Sequence, residues 1–291
     1  MRIGRRGLLT ASLAVLPAGC APVDVLNATI PTGGVSVTRD VRYGDGARHQ
    51  LDIYRADKPA LSDTAPPIVV FFYGGSWKTG QRGDYLFVGE RLAHLGAIAV
   101  IPDYRIYPAV RFPAFVEDGA QAVAWVQRNA SRIGGDPARI AVAGHSAGGH
   151  IAAMLALDPA YLAAAGGDRA SLAGLIGLAG PYDFLPITDP DIIPIFAGSV
   201  PATTQPITYA DAEAPPSMLL AGADDTTVNP ANTRNLAAKL RSARVTVDER
   251  VYPDLGHIGL IIAFAPLFGG LAPVAGDVGG FVRDLPARAT G

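Results

Sequence analysis

Residues Ile140–Ala156 read IAVAGHSAGGHIAAMLA, and this stretch decides how the rest of the chain is read. A short apolar run carrying Ile140 and Val142 stops at Gly144-His145-Ser146-Ala147-Gly148, and an alanine-rich, helix-favouring run follows at once. G-x-S-x-G between a strand and a helix is the nucleophile-elbow pattern. A serine hydroxyl becomes reactive when it stands clear of the surface on a sharp turn. That turn strains the serine backbone, and a bulky side chain two residues to either side would collide with it; Gly144 and Gly148 remove those side chains. The helix opening at Ala147 then aims unpaired N–H groups and a positive dipole end at the same spot. The plain alternative is a glycine-rich turn that merely holds a serine, since the bare motif also occurs by chance.

The 291 residues, 49% hydrophobic and 17% charged, suffice for one large α/β domain or two small ones. A net charge of −2, with no basic stripe along the chain, argues against nucleic acid as a partner. The first twenty residues read as an export leader. Three arginines lie within Met1–Arg6, and Gly7–Leu16 is an apolar run too short to span a membrane. Arg5-Arg6-Gly7-Leu8-Leu9 resembles a twin-arginine signal. Pro17-Ala18-Gly19-Cys20 resembles a bacterial lipoprotein cleavage box, with Pro17 where a branched aliphatic residue is usual. Cys20, the only cysteine, would then carry lipid as the first residue of the mature chain and tether it to a membrane; otherwise an ordinary signal ends near Ala18 or Ala21. The expectation is an exported protein, periplasmic or anchored, with residues 21–34 as a tether and 35–291 as a single domain.

Within that domain, Val35–Tyr43 and Gln50–Tyr54 read as strands joined at Gly44-Asp45-Gly46. Ile68–Tyr73 is continuously apolar or aromatic, as a strand buried on both faces requires. A helix over Tyr85–Leu95, a strand over Ile98–Ile101 and a helix over Pro113–Asn129 continue the alternation of a doubly wound sheet. Asp136 in Gly134–Pro137 suits a turn or cap. Leu172–Leu178 and Met218–Ala221 are further buried strands, and Pro230–Arg241 is an amphipathic helix before a last strand at Val245–Tyr252. Prolines and aspartates crowd residues 181–216, a length that suits a small functional insertion. The apolar tail Ile258–Gly276 holds four glycines and two prolines, which makes a membrane span a poor reading and a buried segment leading to a helix at Val278–Leu285 the better one.

Directly after the strand at Ile68 comes Tyr73-Gly74-Gly75-Ser76-Trp77, where glycines let backbone N–H groups approach a ligand. Together with the elbow, this stretch resembles the α/β-hydrolases of the H-G-G-G class: bacterial carboxylesterases, hormone-sensitive-lipase-like esterases and kynurenine formamidases. Tyr73 stands where those proteins have histidine, and Ser76 where they have a third glycine. The resemblance implies an α/β-hydrolase fold, mostly parallel and flanked by helices, with a small partial cap over 181–216. It implies oxyanion N–H groups at Gly75, Ser76 and Ala147, with Tyr73 holding the loop by packing or a hydrogen bond. Pro102-Asp103-Tyr104-Arg105 matches a segment common in the family, read here as an Asp103–Arg105 ion pair.

In the same family G-x-x-D-x-x-V carries the acid of the triad, and Gly222–Val228 places Asp225 there; a register slip would move the role to Asp224. Of five histidines, His49 and His94 lie in elements away from the sheet's carboxyl edge, His145 should point away from the elbow, and His150 is inside the elbow helix. His257, in Pro253–His257, alone completes the order Ser…Asp…His. Trp77, Tyr182 and Phe184 are candidates to line an acyl site, as is Phe196, with core packing the alternative for each. No H-E-x-x-H or paired-cysteine pattern suggests a metal, and the chemistry calls for no cofactor. The expected function is a serine carboxylesterase acting on small esters. An arylformamidase acting on N-formylkynurenine is the second reading, and a cell-envelope binding protein without chemistry the third.

Overall fold

A computed structural model of the chain describes Asn27 and residues 33–58 and 64–289. The export leader, Cys20 and most of the expected tether lie outside the described residues.

Strands β1 (Val35–Arg42) and β2 (Gln50–Ala56) form the antiparallel hairpin that the glycines at 44 and 46 announce. Next come β3 (Ile68–Phe72), α1 (Leu86–His94), β4 (Ile98–Pro102), α2 (Ala114–Asn129) and β5 (Ile140–His145). The elbow leads into α3 (Ala147–Leu157), a short α4 (Pro159–Ala164) and β6 (Leu172–Leu178). After the one-turn α5 (Ile193–Phe196) come β7 (Ser217–Gly222), α6 (Ala231–Ser242), β8 (Val247–Tyr252), α7 (His257–Ile262) and α8 (Val274–Arg283).

The eight strands lie in the order β1-β2-β4-β3-β5-β6-β7-β8. All neighbours are parallel from β4 to β8, and only the β1–β2 and β2–β4 pairs are antiparallel. Helices cover both faces of the central strands, so β3 to β7 are buried along their whole lengths. This burial on two sides explains their unbroken apolar sequence; each large side chain so enclosed contributes roughly 1.5–3 kcal/mol. Edge strand β8 has only Tyr252 buried.

The parallel strands bring their carboxyl ends to one edge, and every chemistry-bearing turn leaves from there. Residues 181–216 sit over this edge as a partial cap of α5 and two 3-10 turns, Pro201–Thr204 and Pro206–Tyr209. Each carries a proline at its first or second position, which suits a first helical turn but supports no long helix upstream of it. The tail is a packed segment: Leu260, Ile261, Phe264 and Ala265 are buried, and α8 starts four residues earlier than expected, after Pro273. Among the described residues no helix is long and apolar enough to cross a membrane.

Candidate active site

Ser146 holds φ 56° and ψ −123°, a conformation that side chains adopt only under strain. Its neighbours leave no room for anything but glycine. A Cβ on Gly144 would lie 2.2 Å from the Gly148 carbonyl oxygen, and one on Gly148 would lie 2.0 Å from that of Phe72. The Ser146 N–H donates to Leu178 O at 2.9 Å, which ties the elbow to the end of β6. Ala147 heads α3, where first-turn N–H groups have no acceptor within the helix.

The loop after β3 lies directly against this turn. A Cβ on Gly74 would meet Ser146 Cβ and His145 Nδ1, each at 3.1 Å. Gly75, Ser76 and Trp77 all take positive φ values, of 126°, 52° and 55°. The loop closes on itself through Lys78 and Thr79 N–H groups donating to Gly75 O. Among the described residues, the N–H groups of Gly75 and Ser76 donate to none of the hydrogen bonds that close the loop.

Tyr73 anchors the loop's first residue. Its hydroxyl donates to Asp103 Oδ1 at 2.9 Å and accepts from Arg48 Nη2 at 2.7 Å, while its ring stacks on Tyr104 and Tyr85. Burial, with the Asp103 carboxylate beside it, pushes this phenol well above its ordinary pKa, so it stays protonated. Arg48 also donates to Gly80 O and Tyr104 O, and the Gly74 N–H donates to Tyr85 Oη. The expected Asp103–Arg105 pair does not form. Asp103 instead pairs with Arg82, which also reaches Asp52 and Asp40, while Arg105 pairs with Asp118 of α2 at 2.7 Å. The chain leaves β4 at Pro102, so residues 103 and 105 face different neighbours.

On the far side of the elbow, His257 heads α7 with Nδ1 2.7 Å from Asp225 Oδ2. The Thr227 and Val228 N–H groups donate to the other carboxylate oxygen at 2.9 and 2.8 Å. Burial by itself would raise the Asp225 carboxyl, but these hydrogen bonds, with that from His257, hold it below the usual range. Asp225 is buried and turned to His257, whereas Asp224 is exposed. The geometry thus gives the histidine's partner as residue 225.

His145 departs from expectation. Its ring does not point away from this edge of the sheet: it lies 4.7 Å from that of His257, with Nε2 3.2 Å from the His257 carbonyl oxygen. The turn strains residue 146, but 145 is still the last residue of β5 and keeps its strand direction. Burial, then the neighbouring His257, pushes its pKa down to about 3.

The aromatic candidates divide. Trp77, 4% exposed, packs against Phe115, Phe184, Phe196 and the edge of His150, forming a wall between the loop and the cap. His150 joins this wall, with Nε2 donating to Thr204 O of the cap at 2.9 Å and burial holding its pKa near 4. The i+4 spacing from Ser146 could have flagged it, since one helical turn puts both residues on the same face. Tyr182 belongs elsewhere. It is wholly buried, with its ring filling the space over Gly177 and Gly180, so it is a core residue and not a site wall. Side chains that could hold a metal ion form no group of three or more among the described residues.

Comparison with known proteins agrees with this architecture. The family described as BD-FAE matches residues 51–193, and the Prolyl oligopeptidase family matches residues 196–263. A rice protein named as a probable isoprenylcysteine alpha-carbonyl methylesterase, ICMEL1, is 38% identical over 53% of this chain and 36% of its own. The probable carboxylic ester hydrolase LipM of Mycobacterium tuberculosis is 33% identical over 74% of this chain and 54% of its own. The chain therefore spans about half the length, or less, of these curated relatives. Among solved structures, the butyrate-bound esterase Est2 of Thermogutta terrifontis superposes with a TM-score of 0.71 and 22% identity, covering 89% of this chain and 97% of that one. By sheet order, elbow and these likenesses, the chain belongs to the α/β-hydrolases.

Proposed function

We propose that this protein is a serine esterase that hydrolyses small carboxylic esters through an acyl-enzyme. The observation that carries the reading is the His257–Asp225 hydrogen bond at the same sheet edge as a strained Ser146 pressed against a glycine loop. Asp225, an anion acceptor at Nδ1, holds His257 in the tautomer that leaves Nε2 free to take a proton. His257 would take the hydroxyl proton of Ser146 as the oxygen attacks the ester carbonyl. The oxyanion would be met by the N–H groups of Gly75, Ser76 and Ala147; loss of one such donor typically costs about 3 kcal/mol of barrier. The protonated His257 then gives its proton to the departing alkoxide. Water, deprotonated by His257 in turn, releases the acid and restores the serine.

Trp77 and Phe184 flank the loop and would border the acyl group. The relatives' names point to esters, including a methyl ester in the rice protein, and the substrate proposed for this chain is a small ester of that class. Export with lipidation at Cys20 is part of the same proposal, and mass spectrometry of the mature N-terminus tests it. A series of p-nitrophenyl esters from acetate to decanoate, run beside N-formylkynurenine, tests the activity. Turnover of the short esters is expected; turnover of the formamide alone would make the protein an arylformamidase, and turnover of neither would leave a binding protein.

A further inference from the structure

His257 is secured at one end only by the triad itself. Asp225 grips Nδ1, but the imidazole sits at the head of a six-residue helix, reached through the turn at Pro253–Gly256. A ring held at one nitrogen can pivot about that hydrogen bond and carry its other nitrogen away from the serine. His145 places a ring beside it, with 4.7 Å between the two ring centroids. It lies between His257 on one side and Gly74 of the loop on the other, where its Nδ1 stands 3.1 Å from the position of a Gly74 Cβ.

We propose that His145 is a positioning residue for the ester hydrolysis: its Nε2–H holds the main-chain carbonyl of His257, and its ring braces the His257 imidazole against the loop that carries the oxyanion donors. The proposal rests on the esterase reading above. A carbonyl oxygen can only accept, so the bond at 3.2 Å requires the proton on Nε2. Nδ1 is then a bare acceptor, and it has no hydrogen-bond partner among the described residues. The ionisable groups facing the ring are His257 and, beyond it, Asp225. Burial keeps the ring neutral, so it adds no charge to oppose the imidazolium that forms on His257 in each half of the reaction. An aliphatic side chain could fill the space but could not donate; a lysine or arginine would donate but would bring a charge. A flat neutral ring with one N–H satisfies both demands.

The test compares His145→Gln with His145→Met, which share a length while only glutamine keeps an amide donor near the place of Nε2. With p-nitrophenyl butyrate, His145→Met is expected to lose about tenfold or more in kcat with KM nearly unchanged, since small displacements of a catalytic group have effects up to about 100-fold. His145→Gln is expected to recover to within about threefold of the parent. Equal kcat in the two variants, or a change confined to KM, would overturn the proposal. Nitrogen-15 NMR of histidine-labelled parent protein gives a readout that needs no variant to fold. The His145 ring is expected to be neutral and protonated on Nε2 from pH 5 to 9, and a ring protonated on Nδ1, or titrating within that range, contradicts the proposal. If the parent hydrolyses none of the esters, the esterase reading fails, while the NMR result still decides how His145 is held.

Discussion

The loop at residues 73–80 is gripped by charge on one side and by aromatic rings on the other. Toward the hairpin, Arg48 binds the Gly80 carbonyl and the Tyr73 hydroxyl, and Asp103, paired with Arg82, accepts from that hydroxyl in a half-buried ionic network. Toward the cap, Trp77 meets Phe115, Phe184, Phe196 and His150 with no hydrogen bond to its indole nitrogen among the described residues. The ionic side is directional, so it fixes where backbone donors point. The aromatic side is not directional, and it determines shape and volume. Substitutions on the first side should therefore cost rate or stability, and those on the second should change which ester fits.

The proposed chemistry lies between the two grips and should give the largest effects. Asp225→Asn should leave the fold intact and lower kcat by about four orders of magnitude, because the amide favours the wrong histidine tautomer; steady-state kinetics checks it, and a loss under tenfold would remove Asp225 from the mechanism. On the ionic side, Asp103→Asn leaves Arg82 and Arg48 short of a buried counter-charge. Arg82 keeps Asp52 and Asp40 as partners, so urea unfolding should show a loss of about 1.5–3 kcal/mol, as for lost hydrogen bonds to a charged group. A change below 1 kcal/mol would mean that the network contributes little.

The site also holds two buried neutral histidines, His145 at the elbow and His150 at the cap, with pKa values lowered to about 3 and about 4 from an ordinary 6.5. Between those values the unfolded chain binds protons that the folded chain refuses. The full stability is therefore present above pH 6.5 and drains away as pH falls toward the folded-state values. At pH 4.5 each histidine should remove on the order of 2–3 kcal/mol. Urea midpoints at pH 7.5 and 4.5 measure this, and equal midpoints would show that neither ring is buried neutral. The smallest effect belongs to the aromatic side: Phe184→Ala should shift the preferred acyl length and change KM a few-fold, with kcat within about threefold. A large fall in kcat there would erase the contrast between the two grips.

The elbow, the glycine loop and the order of serine, aspartate and histidine were legible in the sequence because each is a local pattern with its own backbone demand. Gly144 and Gly148 are required by contacts within a few residues and one neighbouring strand. The partners of Asp103 and Arg105 were not legible, since they come from α2 and from Arg82, brought together only by the turn after β4. The direction of His145 was hidden for a related reason. The strain at Ser146 suggests that its neighbour is thrown outward, but residue 145 still obeys the pleat of β5, and His257 arrives beside it from 112 residues away. Tyr182 shows the limit of composition: an aromatic residue in a cap-like stretch fills the core when two glycines beneath it leave a hole of its size.

The most direct test of the central claim is reaction with a fluorophosphonate, followed by peptide mass mapping and an activity assay on the same sample. One adduct per chain is expected, on Ser146, forming in step with loss of p-nitrophenyl butyrate hydrolysis, with neither adduct nor hydrolysis in Ser146→Ala. Hydrolysis that persists in Ser146→Ala, or an inactivating adduct on another residue, would contradict the claim.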